Sequence, residues 1–359
     1  MKTICFYPSI RRGTNHFLFN LAKVLESTGN FRCVGYKELK EKCPGRLLCA
    51  DVYHINWFDQ SRDILSFLKR LLLLCALKLN CKKIVWTIHN IQPHIKVPFY
   101  NRILFCFLAR YSDVIHIMSW DTIFLAGLEK YTNKVKLIPH GDYYGSYPES
   151  NLDVREKFGI EKESPIFLFF GAIQPYKNIE VLVRAFRKSF GKENKTVCNN
   201  GLAPTLLICG KVEPLSYEID IRKLMDCSKD IVFYPSFIPD EDLSAYMKTA
   251  SVLVVPYSYR SSLNSGTIPL AFSYGKTLVC PDIACVKDVL KKVDCLYSYH
   301  YESENEHVEV LSKKMLAAYK DYCGGKIVEK EKLAIQYMES NSWEAHKKEW
   351  SELYGGASC

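Results

Sequence analysis

Short apolar runs of strand length, separated by amphipathic segments and by glycine or proline turns, recur through this chain in two series of six. That rhythm leaves few architectures open. In the first series the runs cover residues 3–7, 31–35, 52–55, 83–88, 114–118 and 135–138, with helical patterns at 16–27, 62–79, 99–111 and 120–130 between them. The second series covers 166–170, 205–209, 231–234, 252–255, 277–279 and 295–297. The run 166–170 is continuously apolar and rich in aromatics, which suits a parallel strand buried on both faces. At 359 residues the chain exceeds what one hydrophobic core serves. The pattern predicts an α/β fold of two Rossmann-like, doubly wound domains, over residues 1–145 and 146–335. The unperiodic stretch 141–149 reads as their linker, 151–158 as a short helix stopped by Gly159, and 330–354 as a helical, aromatic C-terminal segment.

Composition narrows the function. No run approaches the ~18 uncharged apolar residues of a membrane span; the longest, 71–77, is bounded by Lys69, Arg70 and Lys78. Met1-Lys2 leads straight into a strand-length run, so no secretory leader is expected. The fifteen cysteines are scattered, several inside apolar runs (Cys75, Cys106, Cys209, Cys280), and none forms a Cys-x-x-Cys pair. They read as small core residues in a reducing, cytoplasmic compartment rather than as metal ligands. The formal charge of +9 is uneven: residues 1–145 hold 21 Lys and Arg against 10 Asp and Glu. A basic N-terminal half suits an anionic membrane surface or a diphosphate-bearing acceptor. Nucleic acid is not expected as a partner, because no zinc finger, helix-turn-helix or RNA-binding signature occurs.

In an open α/β sheet, ligands bind beyond the C-terminal strand ends. There, Gly171 closes the apolar run 166–170, and Lys177 stands just before a helical pattern with Ile179, Leu182, Val183 and Phe186 on one face. Strand, glycine turn and helix form an anion-binding geometry, so Lys177 is placed to meet a phosphate; such a lysine can equally sit in water. A second loop follows the run 252–255 and carries Arg260, Asn264, Ser265, Gly266 and Thr267 into the next helix. Small hydroxyl and amide side chains there fit phosphate oxygens, or else an ordinary helix cap, and Arg260 adds a possible bidentate contact. In the first half, His54 with Asn56 and Trp57, His89 with His94, and His140 all follow strands. With Asn15 they read as a polar, acceptor-side cleft. These histidines sit on separate loops without ligand spacing, so no metal and no cofactor is expected. The segments 66–83 and 102–110 are apolar with basic flanks, and read either as core helices with a solvated edge or as helices resting on an anionic membrane.

On these residues the chain resembles bacterial glycosyltransferases of the two-domain GT-B fold, family 4-like and retaining, in a branch that builds exopolysaccharide and capsule. The stretch from Phe170 through Gly171, Gln174 and Lys177 to Asn178 is similar to the donor loop whose lysine contacts the sugar-nucleotide diphosphate. Leu263-Asn264-Ser265-Gly266-Thr267 resembles a second diphosphate loop, and Thr87-Ile88-His89-Asn90 with Pro93-His94 a first-domain loop whose histidine faces the transferred sugar. Ile138-Pro139-His140-Gly141 is similar to the segment before the interdomain linker, and Ser342-Trp343-Glu344 to the start of a last helix. Ala172 and Gln174 stand where members carry an arginine, and Ser262 and Leu270 where many carry a pair of glutamates.

The resemblance implies two domains facing a cleft, with residues 336–359 crossing back to the first domain. It implies metal-independent transfer of a hexose from a GDP- or UDP-sugar to a glycan acceptor, lipid-linked through a polyprenyl diphosphate, at the inner face of the plasma membrane. His89 and Lys177 would be catalytic, Gly171, Arg260, Asn264, Ser265, Gly266 and Thr267 donor-binding, and Asn15, His94, Asn56, Trp57 and His140 on the acceptor side. Two alternatives stay open: a nucleotide-sugar epimerase of the same fold, and a noncatalytic assembly partner.

Overall fold

In the computed structural model, the described residues are 1–11, 16–42, 45, 47–59, 61–90, 98–191, 203–225, 230–259 and 262–355. They divide into two compact units: Met1–Gly141 with Arg260–Asn264 and Ser340–Cys359, and Asp142–Tyr259 with Ser265–Glu339.

Unit 1 runs β1 (Lys2–Tyr7), α1 (His16–Glu26), β2 (Phe31–Gly35), α2 (Tyr36–Lys42), β3 (Val52–Asn56), α3 (Ile64–Leu79), β4 (Lys83–Thr87), α4 (Phe99–Tyr111), β5 (Val114–Ile117), α5 (Thr122–Leu125) and β6 (Val135–Leu137). The strands form one parallel sheet in the order β2-β1-β3-β4-β5-β6. Asp63 caps α3 by accepting from the Ser66 amide at 2.7 Å, which relieves one of the orphan donors of the first turn. The helical pattern at 120–130 does not persist as one helix. Gly127 takes a left-handed φ of 67°, which ends the short α5, and a 3-10 turn follows at Glu129–Lys134.

Unit 2 runs α6 (Val154–Phe158), β7 (Ile166–Phe170), α7 (Ile179–Phe190), β8 (Thr205–Cys209), α8 (Leu215–Leu224), β9 (Ile231–Tyr234), α9 (Asp240–Thr249), β10 (Val252–Val254), α10 (Thr267–Ser273), β11 (Leu278–Pro281), α11 (Ala284–Leu290), β12 (Tyr297–Tyr299), α12 (Glu304–Cys323) and α13 (Ile327–Ser340). Its parallel sheet has the order β12-β11-β10-β7-β8-β9. The strands are buried on both faces, with α7 laying Ile179, Leu182, Val183 and Phe186 into the core. Central strands buried along nearly their whole length, interleaved with helices buried along one face, are what a doubly wound sheet requires.

The C-terminal segment breaks at residues 341–346, where the Ser342 hydroxyl accepts from the Ala345 amide, and resumes as α14 (Lys347–Leu353) within unit 1. Trp350 and Tyr354 are fully buried in the core that holds β1 and α1. At roughly 200 Å² per ring and ~25 cal/mol per Å², each contributes about 5 kcal/mol of apolar burial. Lys83 Nζ donates to the Leu353 carbonyl at 2.8 Å and fastens the end of α14 to β4.

A chain of buried hydrogen bonds joins α14 to the sheet, and its endpoints fix every proton. His116 Nε2 faces the Ile138 carbonyl at 2.9 Å, an acceptor only, so Nε2 carries the hydrogen and Nδ1 accepts from the Thr87 hydroxyl at 2.9 Å. Thr87 Oγ1 then accepts from His54 Nε2–H at 2.6 Å, and His54 Nδ1 accepts from the Tyr354 hydroxyl at 2.6 Å. Both imidazoles are neutral and have all their ring nitrogens satisfied. His54 therefore does not line an acceptor cleft: it is 0% exposed and committed to this chain. Cys106 differs too, being exposed on α4 rather than buried, while the described cysteines are all free.

Candidate functional site

Each sheet reverses its strand order once, between β1 and β3 in unit 1 and between β7 and β10 in unit 2. At such switch points adjacent connections leave in opposite directions and open a crevice. The loops after β7 and β10 are those that carry Lys177 and residues 265–267.

The turn after β7 is held by backbone geometry that only glycine tolerates. Gly171 has φ +119° and Gly210, at the end of β8, φ +150°. A Cβ on Gly210 would lie 1.9 Å from the Gly171 carbonyl oxygen, so the two strand ends touch through bare backbone. Ile173 is then pinned beside Val212 by Ile173 N to Lys211 O (2.8 Å) and Glu213 N to Ile173 O (2.9 Å). A 3-10 turn, Pro175–Lys177, follows, and Asn178 adopts a left-handed conformation (φ 54°) while its Nδ2 donates to Pro256 O at 2.9 Å. The Ser258 amide donates to Tyr176 O at 3.0 Å, so both loops of the switch point are laced together.

This lacing turns Lys177 inward. The residue is only 9% exposed, with Nζ 3.4 Å from Tyr257 Oη and 4.8 Å from the centre of that ring. A Cβ on Gly171 would sit 3.6 Å from Nζ, so the glycine keeps the space above the ammonium open. Burial opposes the charge, but Tyr257 and Tyr176 more than offset it, and the pKa lies above the ordinary lysine value. The side chain is thus a cation at neutral pH. Among the described residues no carboxylate pairs with it. A desolvated ammonium supported only by a phenol and aromatic faces is a site in want of an anion.

Tyr257 links that ammonium to the second loop, its hydroxyl lying 3.2 Å from Thr267 Oγ1. Ser265 is buried, with Oγ accepting from the Thr267 amide at 3.3 Å, and Gly266 between them is exposed. Lys177, Tyr257, Thr267 and Ser265 therefore form one connected polar group beside Gly171. Asn264 does not join it: its Nδ2 donates to the His89 backbone carbonyl at 3.0 Å, in unit 1. Sequence reasoning missed Tyr257, because nothing local distinguishes it from the neighbouring Tyr259. Arg260, Asn15 and His94 lie outside the described residues.

In unit 1 the ends of β3 and β4 bring Asn56, Trp57 and His89 together. Asn56 Nδ2 donates to Tyr7 O at 3.3 Å, which leaves its Oδ1 to accept from His89 Nε2–H at 2.8 Å. His89 Nδ1 is then a lone pair. The ring stacks on Trp57 at 4.0 Å and 16°, and Phe17 meets its edge at 5.2 Å. Trp57 holds φ 50°, unusual for a bulky residue, with its carbonyl accepting from Arg70 Nη1 at 3.3 Å. Burial, followed by the neighbouring His116, His140 and His54, pushes His89 well below the usual histidine range. It is a neutral acceptor at pH 7. His140 also packs on Phe17, at 5.0 Å, and donates from Nδ1 to the Gly141 carbonyl at 2.7 Å. A Cβ on Gly141 would come within 2.3 Å of the Trp343 indole, so the C-terminal segment lies directly on the turn that follows β6. Among the described residues no group of three or more His, Cys, Asp or Glu is arranged to hold a metal ion.

Over 144 residues, 40% of its length, the chain is 24% identical to "Uncharacterized glycosyltransferase MJ1607" of Methanocaldococcus jannaschii, and the match spans about a third (34%) of that relative's length. Among solved structures, Anabaena Alr3699/HepE in complex with UDP has a TM-score of 0.68 at 14% identity, covering 98% of this chain and 99% of its own. The same protein is also known with UDP-glucose. Sucrose-phosphate synthase from Thermosynechococcus elongatus has a TM-score of 0.69 at 16% identity, covering 99% of this chain and 98% of its own. These likenesses establish the GT-B fold. Residues 151–333, the whole strand–loop framework around Lys177, match the profile of one family, and this chain belongs to it: Glycosyl transferases group 1.

Proposed function

We propose that this glycosyltransferase takes a hexose from a nucleotide diphosphate sugar, GDP- or UDP-linked, and passes it to a glycan acceptor borne on a polyprenyl diphosphate. The product would be a bacterial surface polysaccharide, capsule or exopolysaccharide, made at the inner face of the plasma membrane. The observation that carries the donor half is the buried, carboxylate-free Lys177 ammonium beside Gly171. In this reading a diphosphate supplies its missing counter-charge. Nζ, the Thr267 hydroxyl and the Ser265–Thr267 backbone then stabilise the departing nucleoside diphosphate, the part a divalent cation plays in other transferases. Arg260 completes the donor side, whereas the Asn264 amide is committed to the His89 carbonyl. The lone pair on His89 Nδ1 accepts from a hydroxyl of the transferred sugar or of the acceptor, while Asn15, Asn56, Trp57, His94 and His140 shape the acceptor side. Transfer with retention of anomeric configuration is the stereochemistry that the family resemblance implies. UDP is the first base to try, since it is the nucleotide bound by Alr3699/HepE.

A thermal-shift panel of GDP, UDP, ADP and dTDP tests the donor. A ligand at 100 times its Kd adds about 2.7 kcal/mol to the folded state. Stabilisation by one of the four assigns the base, and no stabilisation by any overturns the reading. Free epimerised sugar nucleotide formed without acceptor would replace transfer by epimerisation.

A further inference from the structure

The outer surface of unit 1 carries an apolar face that nothing in the described residues covers. α3 and α4 lie side by side on the sheet. Phe67, Leu74 and Leu77 of α3, and Leu104 and Leu108 of α4, are buried beneath them. On the opposite side of α3, Leu65, Leu68, Leu72 and Leu79 recur at the helical spacing of one stripe, each between 47% and 83% exposed. On α4, Phe99, Ile103 and Cys106 form a second stripe, again exposed. Two neighbouring helices thus present leucine, isoleucine and phenylalanine where an ordinary surface helix presents polar side chains.

Charge decides what fits. Neither helix contains a single aspartate or glutamate, whereas Lys69 on α3 and Arg102 and Arg110 on α4 are exposed among or beside the apolar stripes. None of these three forms an ion pair with a described carboxylate, unlike Lys78, which pairs with Asp113. A second copy packed face to face would set these cations against one another, which disfavours a homodimer here. No described helix is long and apolar enough to cross a membrane. Apolar stripes with interleaved cations and no acid suit a surface that is hydrocarbon inside and anionic at its boundary.

We propose that the exposed face of α3 and α4 is a membrane-docking surface. The two helices lie in the plane of an anionic bilayer, with Leu65, Leu68, Leu72, Leu79, Phe99 and Ile103 below the headgroups and Lys69, Arg102 and Arg110 at the phosphates. This deepens the proposed function by naming the element that meets the acceptor's membrane, and rests on it only in that respect.

The test is co-sedimentation of the full chain with phosphatidylcholine vesicles, with and without about 30 mol % phosphatidylglycerol, at low and high salt. Binding is expected only with the anionic lipid and is expected to fall as salt rises. Leu68→Glu with Leu72→Glu should cut the vesicle-bound fraction more than tenfold, and Lys69→Glu with Arg102→Glu should weaken it and abolish its lipid selectivity. All four positions are solvent-facing, so thermal shifts with the nucleotide panel should match the parent. That separates failure of docking from failure of the donor reading. Equal sedimentation of parent and Leu68→Glu/Leu72→Glu, equal binding to neutral vesicles, or a homodimer in analytical ultracentrifugation that those leucine substitutions dissolve would each overturn the proposal.

Discussion

Thr87→Val is the most informative perturbation of unit 1, because one hydroxyl bridges two buried imidazoles. Removing Oγ1 strands the His54 Nε2–H donor and the His116 Nδ1 acceptor at once. Each orphaned buried group costs about 1–3 kcal/mol, giving about 2–6 kcal/mol in total, while the methyl that replaces the hydroxyl nearly fills its space. Tyr354→Phe strands only His54 Nδ1, so about 1–3 kcal/mol is expected. The network also sets a pH dependence. Burial, opposed by the hydrogen bond to Ile138 O, pushes His116 from 6.5 down to about 4, and burial holds His54 well below 6.5. Both therefore stay neutral when folded and gain protons on unfolding. Their stabilisation is complete above pH 6.5 and is lost as the pH falls towards 4; His116 alone accounts for about 3 kcal/mol. All five tryptophans lie in unit 1, so urea unfolding followed by tryptophan fluorescence reads this unit alone. A midpoint that stays level between pH 7 and pH 5, or a Thr87→Val loss no greater than that of Tyr354→Phe, would refute the reasoning.

Gly210→Ala forces a Cβ to 1.9 Å from the Gly171 carbonyl, so the ends of β7 and β8 must part. It should abolish nucleotide binding, whereas Gly159→Ala, a left-handed helix cap with open space around it, should cost about 1 kcal/mol and leave binding intact. Calorimetric titration of both variants checks this, and retained binding in Gly210→Ala would contradict the loop geometry. Asn56→Asp replaces the amide that accepts from His89 Nε2–H with a carboxylate, so the His89 pKa should rise. The acid limb of the transfer pH profile should move to higher pH by about one unit or more; an unmoved limb would remove His89 from the proton inventory of the reaction.

Much of the fold was legible because parallel strands buried on both faces leave continuous apolar runs. The six runs of each series correspond to the strands β1–β12. The Lys177 loop was readable for the same reason, since a glycine closing such a run and a lysine before an amphipathic helix are local signals. What escaped depends on partners distant in sequence. Tyr354 and His54 meet across 300 positions, and no spacing in the chain announces their hydrogen bond. The misreading of His54 followed from its place two residues before Asn56: alternation along β3 sends the two side chains to the same face, but only the arrival of α14 seals His54 from solvent. Tyr257 likewise gains its role from Lys177, 80 positions away. The helix expected at 120–130 failed for a local reason, Gly127, whose left-handed backbone outweighed the apolar periodicity.

Lys177→Met tests the central assignment most directly. Methionine keeps the packing against Tyr257, Tyr176 and Phe169 but removes the charge. An uncompensated buried ammonium is costly, so the ligand-free variant should unfold at the same temperature as the parent or higher. Calorimetric titration with whichever nucleoside diphosphate most stabilises the parent should show affinity reduced at least tenfold, about 1.4 kcal/mol, with transfer nearly lost. A variant that binds that diphosphate as tightly as the parent would show that Lys177 is a structural lysine and not the anchor of the donor.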